Sequence, residues 1–249
     1  MTTAPARLTE THRHGLRLLV DAEAAGRGVL VGFSDRNGGI SDAPFDTLNI
    51  SRNVGDATQA IENRRRVAGA LGFDEDELMG LRQMHGAEVL EAEPGGSGVR
   101  GEGDGLVARA PGVVLSVLSA DCVPVLLEGE RGVAALHAGW RGLVAGVLER
   151  GVAAVAPVRA AWIGPAIEAC CYEVGREVTD AFDTAGLPVA GKRRVDPPAA
   201  ARAVLQRAGV NNIAVAGECT ACLANYFSYR RDGATGRQGG FIAMTRTVA

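Results

Sequence analysis

Two histidines and a cysteine, His85, Cys122 and His137, sit in short segments of unusual make-up. These are Gln83-Met84-His85-Gly86, Ser119-Ala120-Asp121-Cys122-Val123-Pro124 and His137-Ala138-Gly139-Trp140-Arg141-Gly142. Two imidazoles and a thiolate suit a borderline metal such as zinc, and a thiolate disfavours magnesium or calcium. Three protein ligands instead of four leave a position open for water or substrate, as in a catalytic zinc site. The same residues support a second chemistry, with Cys122 as nucleophile, His137 as its base and Asp121 orienting the imidazole. Spacing leaves both open, and either is metal-assisted or nucleophilic chemistry on a small molecule.

An anion has a candidate seat beside this group. Trp140-Arg141-Gly142 opens a predicted helix, whose free N–H groups favour a phosphate or a developing oxyanion. Arg141 and Arg52 are the side-chain partners for it, although a loop arginine such as Arg52 is as readily a solvated surface residue. The remaining cysteines, Cys170-Cys171 and Cys219-Thr220-Ala221-Cys222, have partly metal-like spacing and could together complete a four-thiolate structural zinc site. Adjacent cysteines are poorly disposed to share one ion, so the favoured reading is buried or half-buried thiols, with the structural zinc as the alternative. The run Asn225-Tyr226-Phe227-Ser228-Tyr229-Arg230-Arg231 reads as core packing with a salt-bridged surface, or as the rim of the site.

Strands must deliver these residues. Val113–Leu118 reads as a strand ending at Asp121 and Cys122. Pro124–Leu127 reads as a second, and Val133–Leu136 as a third that delivers His137. A helix from Trp140 to about Ala154 follows. Further strands are expected at Val29–Phe33, Ala160–Ile163, Ile213–Ala216 and Phe241–Met244. Asp56 reads as the N-cap of a helix closed by Gly72, with further helices near Gly175–Thr184 and Pro198–Ala208. Residues 93–105, rich in glycine, read as a surface loop. Residues 1–13 read as a loose tail and 14–249 as a single catalytic domain of mixed α/β type.

The 249 residues are 47% apolar but only 4% aromatic, so the core must be aliphatic. A net charge of −3 with scattered arginines argues against nucleic acid or anionic lipid as a partner. No apolar run approaches the roughly 18 residues of a membrane span. An odd count of five cysteines does not make a disulfide framework, which points to a cytoplasmic protein with reduced thiols. No coiled-coil heptad marks an oligomeric interface.

Taken in order, Gln-x-His-Gly, Ala-Asp-Cys-x-Pro and His-Ala-Gly-Trp-Arg-Gly resemble the motifs of the YfiH, or laccase-domain, family. The likeness extends through Leu48-Asn49-Ile50-Ser51, Val54-Gly55-Asp56 and Glu62-Asn63-Arg64. It continues at Gly164-Pro165, Cys171-Tyr172-Glu173-Val174, Cys219-Thr220 and Phe227–Arg231, and ends at Thr235-Gly236-Arg237. Family members have been named polyphenol oxidases, purine nucleoside phosphorylases and peptidoglycan editing factors. The resemblance implies one α/β domain, a mixed sheet with flanking helices of YfiH-like, cysteine-hydrolase type. It implies a zinc site whose ligands fall on His85, Cys122 and His137. Asp121 is then a candidate for proton transfer or for orienting a ligand, and Arg52, Arg141, Asn49 and Gln83 are candidate substrate contacts. The family often carries His where this chain has Asn53, and Thr where it has Ser119.

Donor counting prunes the family's activities. A multicopper oxidase needs on the order of ten histidines, because imidazole is the main ligand of such copper. This chain has four, His12, His14, His85 and His137, so copper here would be a single adventitious ion. The resemblance implies phosphorolysis of adenosine, inosine, guanosine and methylthioadenosine, and hydrolytic deamination of adenosine. Purine nucleoside and phosphate would then be the partners. Three other readings stay open. One is a cysteine hydrolase acting on cell-wall precursor amides through Cys122 and His137. Another is a copper-dependent phenol oxidase with one copper at the three-ligand site. The third is a non-catalytic nucleoside-binding module.

Overall fold

In a computed structural model, which describes residues 4–245, two mixed sheets stack face to face and helices cover their outer sides. The first sheet has seven strands, in the order Thr9–Arg13, Leu16–Val20, Val29–Ser34, Gln238–Met244, Val114–Ser119, Leu78–Arg82 and Gly98–Glu102. The second has six, in the order Ile213–Val215, Val158–Ile163, Val123–Gly129, Gly132–Ala138, Gly105–Ala108 and Val89–Glu91. A small ribbon pairs Val189–Gly191 with Arg194–Val195.

Sheets covered on both faces need strands that are apolar throughout, since alternate side chains enter different cores. In Val114–Ser119, Val114 packs toward the helix Ala57–Leu71, while Leu115 and Val117 enter the layer between the sheets. In Val123–Gly129, Leu126 enters that same layer. Its neighbours Val125 and Leu127 face the helices Val147–Val155 and Pro197–Arg207. Phe33 and Trp162 are the large side chains of the middle layer. Among the described residues no helix is long and apolar enough to cross a membrane.

The helix Ala57–Leu71 matches its expected signals. The Asp56 carboxylate accepts from the Thr58 and Gln59 N–H groups, and Gly72 closes the helix at φ +86°. Three expectations are corrected. Residues 9–13 are a strand, not tail, paired with Leu16–Val20 through a tight hairpin. Residues 93–105 hold the strand Gly98–Glu102, parallel to Leu78–Arg82, and a fully buried aspartate. The helix after His137 breaks at Gly146, φ +85°, into Trp140–Ala145 and Val147–Val155. The strands Val123–Gly129 and Gly132–Ala138 are also longer than their apolar runs suggested.

Strand register brings the chemistry-bearing residues to one place. The hairpin Val123–Gly129/Gly132–Ala138 pairs His137 with Pro124 and Ala138 with Val123. Cys122, which immediately precedes Val123, therefore lies at the same open end of the hairpin as His137. Opposite them, the loop after Asp35 is held by Asn63 on the first long helix. The buried Asn63 amide donates to Ser41 Oγ, Thr47 O and Asn49 O, and its oxygen accepts from Ile40 N. Removing it strands several buried backbone groups. Asn63→Ala is expected to lower stability by on the order of 3 kcal/mol, read as a shifted urea midpoint with an unchanged slope.

Candidate active site

Asp104 organises the site, although the sequence reading placed it in a surface loop. It is fully buried. Its carboxylate accepts from the backbone N–H groups of Met84, His85 and Gly86 at 3.1, 2.9 and 2.7 Å. Its Oδ1 lies 2.8 Å from His137 Nδ1, and its backbone carbonyl accepts from His137 N at 2.7 Å. Burial on its own would raise this carboxyl, but the bonds from His137 and the Gly86 and His85 N–H groups outweigh it and hold the pKa below the usual range. A signal for it existed in Gly103-Asp104-Gly105, an aspartate between glycines at the start of an apolar strand. Flanking side chains would be crowded there. A Cβ on Gly103 would meet Glu88 O at 3.0 Å, and one on Gly105 would meet Val89 at 2.7 Å.

The three N–H bonds shape the Met84–Gly86 turn, in which His85 takes φ +59°. That left-handed conformation is uncommon outside glycine, though His tolerates it better than most residues. His137 is fixed through Nδ1. With an ionised Asp104 accepting, the Nδ1 proton faces the carboxylate and Nε2 is left for a metal or for the Cys122 sulfur.

The ligand atoms of His85, Cys122 and His137 all lie within 4.8 Å of one another. The imidazole rings meet edge to face, with centroids 4.9 Å apart. Gly139 keeps the space open, because a Cβ there would approach His85 Cδ2 to 3.0 Å and Cys122 Sγ to 3.2 Å. Two neutral nitrogens and a thiolate, with the second nitrogen of His137 held by a carboxylate, fit zinc. Without metal, Cys122 and His137 form an ion pair. Burial opposes charging the thiol, but the imidazolium of His137 and hydrogen bonds from both histidines bring Cys122 down to about 6. Burial likewise opposes charging His137, but the Cys122 thiolate and Asp104 raise it to about 9.

The group opens into a cleft of about 680 Å³. Gln83 lines the cleft, but both polar ends of its amide are engaged by the Leu118 backbone, Nε2 donating to the carbonyl and Oε1 accepting from the N–H. Arg141 lines it with its guanidinium stacked 4.2 Å over the Trp140 ring. Arg52 lines a cavity that adjoins the cleft and shares Ser51, Asn53, Leu81 and Leu118 with it. Two expectations are corrected. Asn49 is fully buried, its side chain donating to Ser51 and Val54 carbonyls and accepting from Ser51 and Arg237 N–H groups, so it cannot reach a substrate. Asp121 does not touch His137. It sits at φ +101° with its carboxylate accepting from Thr220 Oγ1 and Arg230 N, both at 2.7 Å. It shapes the loop before Cys122, and Asp104 takes the orienting role.

Sequence reasoning missed Tyr172 and Arg237, which line the cleft, while Tyr229 and Arg230 place part of the aromatic–arginine run at the rim of the site, one of its two expected readings. The Arg230 guanidinium stands 4.9 Å over the Tyr172 ring, and Arg237 is anchored on the Thr235 and Gly236 carbonyls. Arg231 instead braces the backbone, donating to the Thr220, Leu223 and Tyr226 carbonyls. Ser119 is buried at the cleft wall and its hydroxyl makes no hydrogen bond to protein. With its helix only six residues long, the Trp140 N-terminus is a weak seat for an anion, and positive charge in the cleft comes from Arg141, Arg230 and Arg237, with Arg82 at its lining ion-paired to Glu102. Of the two readings of the other cysteines, the grouped one matches the geometry: the sulfurs of Cys170, Cys171, Cys219 and Cys222 also lie within 4.8 Å of one another.

Two measurements probe this geometry. In metal-free protein, site-resolved alkylation of Cys122 is expected to rise through an inflection near pH 6. His137→Ala should move that inflection up toward the range of an ordinary thiol. Asp104→Asn should raise the zinc concentration needed to protect Cys122 from alkylation by about 10–100-fold.

The profile of the family described as multi-copper polyphenol oxidoreductase laccase matches residues 30–245. A purine nucleoside phosphorylase of Deinococcus radiodurans is 40% identical over 228 residues, covering 86% of this chain and 88% of that protein. The purine nucleoside phosphorylase YfiH of Escherichia coli K12 is 39% identical over 241 residues, covering 91% and 98%. The crystal structure of YlmD from Geobacillus stearothermophilus superposes with a TM-score of 0.87 at 32% identity, covering 97% of this chain and all of that one. That of Bacillus licheniformis YfiH gives 0.84 at 28%, covering 98% of each. The donors are fewer than the family description suggests: among the described residues, groups of three or more potential ligands are the His85/Cys122/His137 set and the four-cysteine set. On profile, relatives and fold together, the chain belongs to the laccase-domain family of YfiH-like proteins, whose relatives carry the name purine nucleoside phosphorylase.

Proposed function

We propose that this chain is a zinc-dependent purine nucleoside enzyme of the cytoplasm, folded as one catalytic domain. Its reactions are phosphorolysis of adenosine, inosine, guanosine and methylthioadenosine, and hydrolytic deamination of adenosine. The observation that carries this reading is the three-donor group and the arginines lining one cleft. At about 680 Å³ the cleft falls within the size range of small-ligand sites. Zinc on His85, Cys122 and His137 would supply a Lewis acid beside the substrate.

The chain's own residues do the rest. Arg141, Arg230 and Arg237 offer planar donors for phosphate. In phosphorolysis a phosphate oxygen bonds to C1′ while the bond from C1′ to the purine nitrogen breaks, and the purine leaves with the electron pair. Positive charge held on the phosphate orients this attack and suits the site to an anionic co-substrate. The faces of Trp140 and Tyr172, each already carrying a guanidinium, are the flat surfaces a purine would stack against. Copper bound at the same three atoms would be adventitious, since copper(II) outcompetes zinc on most nitrogen and sulfur donors.

A second reading has one specific observation in its favour. Cys122, His137 and Asp104 line up as thiolate, imidazolium and orienting carboxylate, the arrangement of a cysteine hydrolase, for which cell-wall precursor amides are the candidate substrates. The deciding experiment incubates zinc-loaded protein with adenosine, with and without phosphate, and weighs the products. Inosine, or adenine formed only with phosphate, is expected, and both should fall to background in Cys122→Ala. Adenosine left intact in every condition sinks the purine reading. Amide hydrolysis that survives chelators and dies on alkylation of Cys122 would establish the alternative.

A further inference from the structure

We propose that Cys170, Cys171, Cys219 and Cys222 form a second metal site, a closed four-thiolate site for zinc, separate from the His85/Cys122/His137 group. The four sulfurs lie within 4.8 Å of one another, with Cys222 Sγ 3.4 Å from Cys170 and 3.2 Å from Cys171. A zinc ion with four sulfurs at about 2.3 Å in tetrahedral array sets sulfur–sulfur edges of roughly 3.8 Å. The observed spacing brackets that edge, so an ion enters with small side-chain rotations.

The backbone around the sulfurs is shaped for thiolates. Cys219-Thr220-Ala221-Cys222 is a two-residue-spaced pair folded as a turn. The N–H of Glu168 approaches Cys219 Sγ at 3.5 Å, and those of Ala221 and Cys222 turn toward the same sulfur. The objection that neighbouring cysteines cannot share an ion is removed by the chain path. Cys171 N and Tyr172 N both donate to Glu168 O, a tight turn that swings both Cys170 and Cys171 toward Cys222. Two arginines reach these loops from other elements, Arg194 from the small ribbon and Arg231 from the helix Tyr229–Asp232, and offset the negative charge of four thiolates on one divalent ion. Arg194 donates to the Ala169 and Cys170 carbonyls, and Arg231 to those of Thr220 and Leu223.

Four protein ligands leave no open position, so this ion would be structural. It would clip together two loops that meet otherwise through the short bridge Ala166/Cys219. One loop carries a residue of the cleft and the other holds one in place. Tyr172 follows Cys171, and Thr220, between the two cysteines of the turn, holds the Asp121 carboxylate next to Cys122.

Cobalt titration under anaerobic, reducing conditions tests this in full-length Cys122→Ala protein. That variant keeps no thiolate at the first site, so any sulfur-to-cobalt charge-transfer band reports on the cluster alone. One equivalent of cobalt is expected to give that band together with intense tetrahedral visible bands, and added zinc should bleach them. Adding Cys219→Ser and Cys222→Ser should abolish the bands. Four titratable thiols with only a weak octahedral spectrum would overturn the proposal without any variant in the cluster. So would a disulfide among these cysteines that persists under reductant.

Discussion

A carboxylate removed from water is tolerated only where donors occupy its oxygens. At Asp104 the donors are three consecutive backbone N–H groups of one turn and a ring nitrogen of a histidine on a distant strand. Those bonds keep the charge in place, and the charge in turn dictates where the donors stand. The turn must present His85 in a left-handed conformation, and the His137 ring must turn its other nitrogen toward Cys122. The site's geometry is therefore a by-product of satisfying one buried charge. The glycines on either side of it, Gly103 and Gly105, let Glu88, Val89 and Leu136 pack against the backbone that carries the carboxylate.

Metal ligation and nucleophilic catalysis ask for much the same preparation. Both need a thiolate at neutral pH, an imidazole with a defined free nitrogen and a carboxylate behind it. The cleft adds what the donor group lacks. Arg141, from the segment after His137, and Arg230 and Arg237, from the C-terminal segment, all line the cleft, where their charge suits an anionic co-substrate better than a neutral amide. That difference weighs toward phosphorolysis.

The family description and the names of its relatives point to different chemistry, and donor arithmetic separates them. A copper oxidase of the multicopper kind needs many imidazoles gathered in one region. Here His12 lies on the first hairpin, where it faces Glu10, and His14 occupies the turn of that hairpin. Only two histidines reach the cleft.

Much of the local structure was legible in the sequence, because its causes are local. Asp56 and Gly72 bounded their helix since a cap needs only its own turn. The apolar runs at Val113, Pro124 and Val133 read as strands since burial on both faces leaves no polar alternation. His85, Cys122 and His137 were found as donor types in shaped segments. What the chain order could not express is which distant groups meet. Asp104 and His137 are 33 residues apart, and the cysteine pairs lie 51 and 52 apart. Their meeting depends on strand register, on a parallel strand hidden in a glycine-rich stretch and on a turn at Glu168. Asp121 looked like the orienting acid because it adjoins Cys122, yet a left-handed backbone turns it toward Thr220. Residue types along the chain determined which chemistry was available. Long-range pairing, by deciding which buried charge each donor must satisfy, chose the residues that carry it.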